Sequence, residues 1–288
     1  MSMGLKLIMA LASGSGGDER AAAFAARLAV QHEARAEILP TYANAAADMI
    51  GLGAALGVSL SQTSIDELLA AESEVLRHIE RDARAAADEA GAAFGTGEGV
   101  SRVAVLGRSP GPVLSLCRQT ALADLVVVAH DNAGASPMRR HLGELLLGYG
   151  APVLVGRGDP DGLTGAAVIA WDGSPQAGRA VRAALPLLAK TSAVHIAQCV
   201  SGLDVQGCDP DPGRLKTYLK LHGVKAGDVI QAEGADEGVA LLAAAQSRQA
   251  GLFVAGAWGR SRVQETIFGG ATRTFLQEKD GPSLLLMH

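Results

Sequence analysis

The sequence predicts an α/β protein with two tandem domains, each built on a doubly wound parallel sheet. Short apolar runs without polar alternation are typical of strands that are buried on both faces, as in parallel sheets. These runs alternate with helical patterns along the 288 residues. The same order of elements also occurs twice. We therefore expect a first domain at residues 1–160 and a second at 161–288, joined by turn-forming residues around 156–162.

The two halves correspond element by element. Each opens with a strand and a helix, passes through two further strands, and closes on a strand that begins with proline. The matched segments are 5–11 and 166–171, 20–28 and 177–188, 103–107 and 229–234, 125–128 and 252–255, and 152–155 and 282–286. The closing strands have free edges in this scheme, so they are expected to pair between the domains or between chains.

The helix at 177–188 has the clearest start signal in the chain. Ser174 is a favourable N-cap, and Pro175 is suited to the first helical position. The first half differs by an inserted segment at 45–64 and a long predicted helix at 64–93. Charge pairs such as Glu74 with His78 and Glu80 with Arg84 indicate one solvated face. We expect this helix to pack on the sheet, with a partner-binding face as the alternative.

The amino-acid composition limits the binding partners and the cellular compartment that we expect for the protein. The net charge of −5 and the 3% aromatic content argue against nucleic-acid binding and against attraction to acidic lipid. The three cysteines form no CxxC pair, which is typical of a reducing compartment. No apolar run approaches the roughly 18 residues that a membrane-spanning helix needs. These features predict a cytoplasmic protein.

A glycine-rich segment follows the strand at 252–255. Gly256 and Gly259 come first, and Gly269 and Gly270 precede a predicted helix. Glycine lets backbone N–H groups approach an anion closely, and a helix N-terminus adds unpaired donors. In doubly wound sheets, ligands bind at the carboxyl ends of the strands. The segment therefore predicts a phosphate site, although glycines that only turn the chain would give the same pattern.

Two motifs give the chain a resemblance to a known family. One is the segment 168–175, which contains Asp172, and the other is Gly256-x-x-Gly259 followed by Gly269 and Gly270. With both, the second half resembles a universal stress protein domain, and the whole chain resembles a tandem member of that family. The resemblance implies an adenine nucleotide alpha hydrolase-like fold and a regulatory role in the stress response.

The resemblance also implies which residues would bind a ligand. Asp172 and Val200 match the positions that frame adenine and ribose in nucleotide-binding members. The four glycines match the phosphate loop, so the implied ligand is ATP or another adenine nucleotide, with Mg²⁺ as a companion of the phosphates. Gly270 departs from the family pattern, which has Ser or Thr there. Thr272 or Ser261 would then supply a hydroxyl, and Arg260, Arg262 or Arg273 a positive charge.

The first half departs further from this pattern. Ala12 stands where Asp172 stands in the second half, and residues 129–134 replace the glycine segment. We expect a degenerate domain without a ligand, which packs on the second domain as one subunit packs on another. A homodimer and an unidentified protein partner remain open.

No nucleophile motif and no metal-ligand cluster is found in the sequence, so a non-catalytic binding protein is expected. The alternatives are a slow ATPase or phosphotransferase at the same loop, and a ligand-free interaction module.

Overall fold

The computed structural model describes residues 4–41, 50, 53, 55–57, 61–107, 114–134, 136–203, 207–257 and 270–288. Its strands are β1 (Leu7–Ala12), β2 (Arg35–Pro40), β3 (Ala93–Phe94), β4 (Arg102–Val105), β5 (Leu125–Ala129), β6 (Val153–Gly156), β7 (Ala166–Ala170), β8 (Ala193–Cys199), β9 (Ala226–Ala232), β10 (Ala250–Gly256) and β11 (Ser283–Met287). They form one 11-stranded sheet in the order β3-β4-β2-β1-β5-β6-β11-β10-β7-β8-β9.

Helices connect these strands on both faces of the sheet. The described helices are α1 (Asp18–His32), α2 (Gln62–Ala90), α3 (Leu114–Thr120), α4 (His130–Ala133), α5 (Ser136–Gly143), α6 (Pro175–Leu188), α7 (Pro212–Leu221), α8 (Glu237–Ser247) and α9 (Gly270–Gln277). A π-helical turn at Glu144–Gly148 follows α5, and 3₁₀ turns lie at Pro160–Thr164 and Val200–Gly202. No described helix is long and apolar enough to cross a membrane.

The two halves meet at the centre of the sheet. Within each half the main strands are parallel, but β6 and β11 pair antiparallel, with Leu154 opposite Leu285. The strand order on one side of this junction repeats in reverse on the other, except that β3 has no counterpart. The expected edge pairing of the closing strands is therefore confirmed, and it occurs between the two halves of one chain.

Successive side chains of each strand point to opposite faces of the sheet, so the buried residues form two core layers. In β1, Ile8 and Ala10 belong to the layer that includes α1 and α6, whereas Met9 and Leu11 belong to the opposite layer with α8 and α9. Both layers contain residues of both halves, so the hydrophobic core is continuous across the junction. This two-layer arrangement confirms the doubly wound α/β fold.

The start of α6 matches its sequence signal. Ser174 is the N-cap, its Oγ accepts a hydrogen bond from Ala177 N at 3.2 Å, and Pro175 is the first helical residue.

The long helix of the first half is α2, and it packs against α1 more than on the sheet. Its buried positions include Ile79, Ala83 and Ala87, close to its C-terminal end. The predicted contact between Glu74 and His78 is present, at 2.9 Å. The two-residue strand β3 was not predicted, because two residues are too few to show a periodicity.

Candidate functional site

The second half has a topological switch point between β7 and β10. From β7 the chain continues to β8 and β9 on one side, whereas β10 and β11 lie on the other. The connections at the carboxyl ends of β7 and β10 therefore lead to opposite sides and leave a crevice between them. Asp172 follows β7, Val200 follows β8, and Gly256 ends β10. The fold thus brings three of the predicted site residues to one edge of the sheet.

Asp172 lies in the tight connection between β7 and α6. Its Oδ1 accepts a hydrogen bond from Ser174 N at 2.9 Å. Its other carboxylate oxygen has no hydrogen-bond partner within the described part of the chain. The side chain is half-buried, so one oxygen orients the loop while the other stays available to a ligand.

Gly256 lets the end of β10 approach the first turn of α6. A Cβ at this position would lie 2.7 Å from Ala177 N and 2.9 Å from the Gln176 carbonyl carbon. Both of these are backbone atoms, so they cannot move aside as a flexible side chain would. Gly256 therefore has a packing role that the glycine motif alone did not reveal.

The chain after β8 folds over the Asp172 loop. Gly173 has a φ of 77°, and a Cβ there would overlap the carbonyl oxygen of Asp209. Gln198 holds this segment in place, because its Nε2 donates to Pro210 O at 2.6 Å. The close backbone contact covers one side of the Asp172 loop.

A cavity of about 420 Å³ opens on the outer side of this loop, between α6 and α7. Its wall combines the aromatic side chains Trp171 and Tyr218 with the cationic side chains Arg179, Arg182 and Arg214. Among the described residues, Trp171 Nε1 and Arg179 Nε are buried without a hydrogen-bond partner. This cavity was not predicted from the sequence. The spacing of Arg179 and Arg182, one turn apart on α6, was the available signal.

The remaining predicted site residues lie in different surroundings. Val200 is 52% exposed and begins the 3₁₀ turn directly after the end of β8. Gly270 begins α9 with a φ of 64°, a conformation that Ser or Thr would adopt only with strain. Thr272 is buried at 4% exposure, whereas Arg273 lies on the surface.

Gly259, Ser261 and Gly269 lie outside the described residues, as do Arg260 and Arg262.

The strand register corrects one sequence comparison. Leu125 pairs with Ile8 in the first half, and the equivalent Leu252 pairs with Ala167 in the second. Counting forward along β1 and β7, the position of Asp172 therefore corresponds to Ser13. The assignment of Ala12 to this position was wrong by one residue, because the two loops differ in length and only the register fixes the alignment.

The crevice of the first half is closed by its own side chains. The carboxylate of Asp18 accepts hydrogen bonds from Ser13 N at 3.0 Å, Gly14 N at 2.7 Å and Asn132 Nδ2 at 2.8 Å. Ser15 Oγ donates to Asn132 Oδ1 at 3.1 Å. Burial raises the pKa of Asp18, although these hydrogen bonds oppose the shift. The side chain of Asp18 thus binds the loop that precedes α1.

No group of three or more His, Cys, Asp or Glu side chains among the described residues is arranged to hold a metal ion.

Comparison with solved structures supports the fold. A universal stress protein from Archaeoglobus fulgidus DSM 4304 aligns with a TM-score of 0.66 and 16% identity, covering 98% of this chain and 95% of that one. A putative universal stress protein from Pseudomonas aeruginosa UCBPP-PA14 aligns with a TM-score of 0.55 and 13% identity, covering 98% and 93%. A universal stress protein in complex with cAMP matches 43% of this chain and 96% of its own, with 20% identity and a TM-score of 0.34.

No protein-family model matches the sequence, and no curated protein matches it. The likeness is one of structure: along nearly its whole length, the chain has the fold of the first two proteins.

Proposed function

We propose that this chain, which has the fold of the universal stress proteins, binds an adenine nucleotide in its second domain and acts as a regulatory protein in the stress response. The proposal rests on one observation above all. Asp172, Val200 and Gly256 follow or end three neighbouring parallel strands on both sides of the switch point. This is the place where doubly wound sheets bind their ligands.

The chemistry of the crevice suits a nucleotide. The free oxygen of Asp172 can accept hydrogen bonds from ribose hydroxyl groups. The connection between β10 and α9 leads to a helix N-terminus at Gly270, which favours a phosphate. In this proposal Mg²⁺ would accompany the phosphates, and Thr272, Ser261 and the glycines at 259 and 269 would complete the phosphate loop.

The first domain is proposed to bind no nucleotide. Asp18 and Asn132 fill the equivalent crevice with a hydrogen-bonded network, and Ser13 replaces the carboxylate of Asp172. Its role would be to support the second domain through the β6–β11 junction. The three free cysteines favour a reducing compartment, so we place the protein in the cytoplasm.

Calorimetric titration with ATP, ADP and AMP tests the proposal. Asp172→Asn is the informative variant, since its amide oxygen can still accept from Ser174 N while the carboxylate charge is lost. We expect its nucleotide affinity to fall by about tenfold or more, which corresponds to roughly 1.4 kcal/mol. Ser13→Ala, at the equivalent position of the first domain, should leave the affinity unchanged.

The two alternative functions predict different results. A ligand-free interaction module would give no heat and no thermal shift with any of the three nucleotides. A slow ATPase or phosphotransferase would turn over ATP in the presence of magnesium. Turnover that Asp172→Asn abolishes would overturn the non-catalytic proposal.

A further inference from the structure

A second cavity, of about 660 Å³, lies where the C-terminal end of α9 meets the first half of the molecule. It is separate from the proposed nucleotide crevice, because its walls belong to the carboxyl ends of β5 and β6 and to the loop before β11. Its charged and titratable wall residues are Arg20, His130, Asp131, Arg157, Lys279 and Asp280. Both halves of the chain therefore contribute to it, as is common for ligand sites at domain boundaries.

Arg157 is the unusual member of this wall, because its charge is buried. The residue is 5% exposed and forms no ion pair within the described part of the chain. Its Nη1 donates to Pro282 O at 2.7 Å and its Nη2 to Phe275 O at 2.5 Å, while Nε has no hydrogen-bond partner among the residues that the structure describes. Burial lowers its pKa to about 10, so the guanidinium stays protonated at neutral pH. A buried charge without a counter-ion is costly unless a ligand compensates it.

The surrounding charges leave the cavity positive. Arg20 is paired with Asp131 at 2.5 Å, and Lys279 and Asp280 form no ion pair among the described residues. The wall therefore carries three cationic side chains against two carboxylates. Glu278 is not part of the wall but lies close enough to act electrostatically on Arg157, and its carboxylate also accepts a hydrogen bond from Asp280 N at 3.1 Å.

His130 completes the link between the two halves. Its Nε2 lies 3.1 Å from Leu276 O, one of the last carbonyl oxygens of α9. Burial and the neighbouring Arg157 lower its pKa, so the ring is neutral at pH 7 and can donate through Nε2. The C-terminal end of α9 is thus held by Arg157 and His130, both from the first half.

We propose that this cavity binds a small oxyanion of the phosphate class, with Arg157 and Lys279 as its main cationic contacts. The anion supplies a direct ionic partner for Arg157, which forms no ion pair among the described residues. It also contacts both halves at once, and a ligand that binds only the folded, joined form stabilises that form. Binding therefore raises the temperature of unfolding as well as giving heat in a titration.

Titration of the full chain with inorganic phosphate, against sodium chloride at equal ionic strength, tests the site. We expect saturable binding with a Kd of about 1 mM or tighter and a rise in the unfolding temperature. Lys279→Gln should weaken the affinity by about five- to tenfold. This side chain is exposed, so its removal should not affect folding. Arg157→Lys keeps the charge but not the planar guanidinium, and should also weaken binding.

The matched control is Lys220→Gln, an exposed lysine on α7, which should leave phosphate affinity unchanged. Absence of saturable phosphate binding to the unaltered chain would overturn the proposal. So would phosphate binding that Lys279→Gln leaves unchanged, since the anion would then occupy another place, such as the nucleotide crevice. A parallel titration with glucose 1-phosphate compares the affinity for a phosphate ester with the affinity for free phosphate. Equal affinity of the two would show that the cavity recognises the phosphate group itself.

Discussion

His32 is a buried imidazole in the last turn of α1 that makes folding depend on pH. It is 9% exposed, and its Nε2 has no hydrogen-bond partner in the described part of the chain. Burial, together with the positive charges of Lys190 and Lys6, lowers its pKa from 6.5 to about 4. The folded protein therefore holds this ring neutral at pH values where the unfolded chain protonates it.

The sign of the effect follows from linkage. Because the folded pKa lies below the unfolded value, the stabilisation is complete above pH 6.5 and is lost as the pH falls towards 4. The loss is at most about 3 kcal/mol for a shift of this size. Urea unfolding measured at several pH values should show this decline in the unaltered protein, and His32→Gln should flatten it.

The exposed His222 provides the comparison for that measurement. His222→Gln should keep the pH dependence of the unaltered chain, because this ring lies on the surface. A decline between pH 6.5 and 4 that persists in His32→Gln would show that other groups cause it.

At the scale of single residues, the sequence placed Asp172 and Gly256 next to the ends of their strands, where the structure has them. It did not place Ser13, because the loop that precedes α1 is longer than the loop that precedes α6. The roles of Asp18 and Arg157 could not be predicted from the sequence either. Their partners, Asn132 and Pro282, lie more than a hundred positions away along the chain, and no local pattern reports such contacts.

At the scale of elements, the approach of β10 to α6 depends on one missing side chain. Gly256→Ala would place a methyl group 2.7 Å from Ala177 N, against a backbone that cannot yield without shifting the helix. We expect the free energy of unfolding to fall by about 1–3 kcal/mol, as for other overpacked sites. Denaturant unfolding at neutral pH measures the change directly.

Gly178→Ala is the matched control, in the same helix. The nearest atom to its added Cβ is Arg182 Nη1 at 3.7 Å, an ordinary contact. Alanine is the better helix former, so this variant should be more stable by roughly 0.5–1 kcal/mol. Equal stability of the two variants would contradict a packing role for Gly256.

Elements with strong local signals were the most predictable. The helix α6 begins at Pro175 behind the Ser174 cap, as its sequence indicates, and the strands of the matched segments were each placed to within a few residues. The strand β2 was not placed. The element that α2 packs against was harder to predict, because the buried Ile79 and Ala83 show only which face of the helix is covered. The amphipathic pattern does not distinguish packing against α1 from packing on the sheet.

At the scale of the whole molecule, the internal repeat predicted two similar halves, and the free edges of their closing strands predicted the contact between them. This contact between the halves produces a single sheet and two core layers that run through both of them. The sequence left open whether this contact forms within one chain or between two. The choice depends on the path of the connecting residues, where Arg27 of α1 forms a two-point ion pair with Asp161.

The continuous core leads to a prediction about unfolding. Separating the halves would break the β6–β11 ladder, expose Leu154 and Leu285, and leave the buried Arg157 without its carbonyl partners. These costs couple the halves, so we expect one cooperative thermal transition with a calorimetric enthalpy close to the van't Hoff enthalpy. Arg157→Gln should weaken the coupling, and either lower the midpoint or begin to split the transition. Two resolved transitions in the unaltered chain would instead mean that each half is stable by itself, and that the shared sheet adds little to the stability of either.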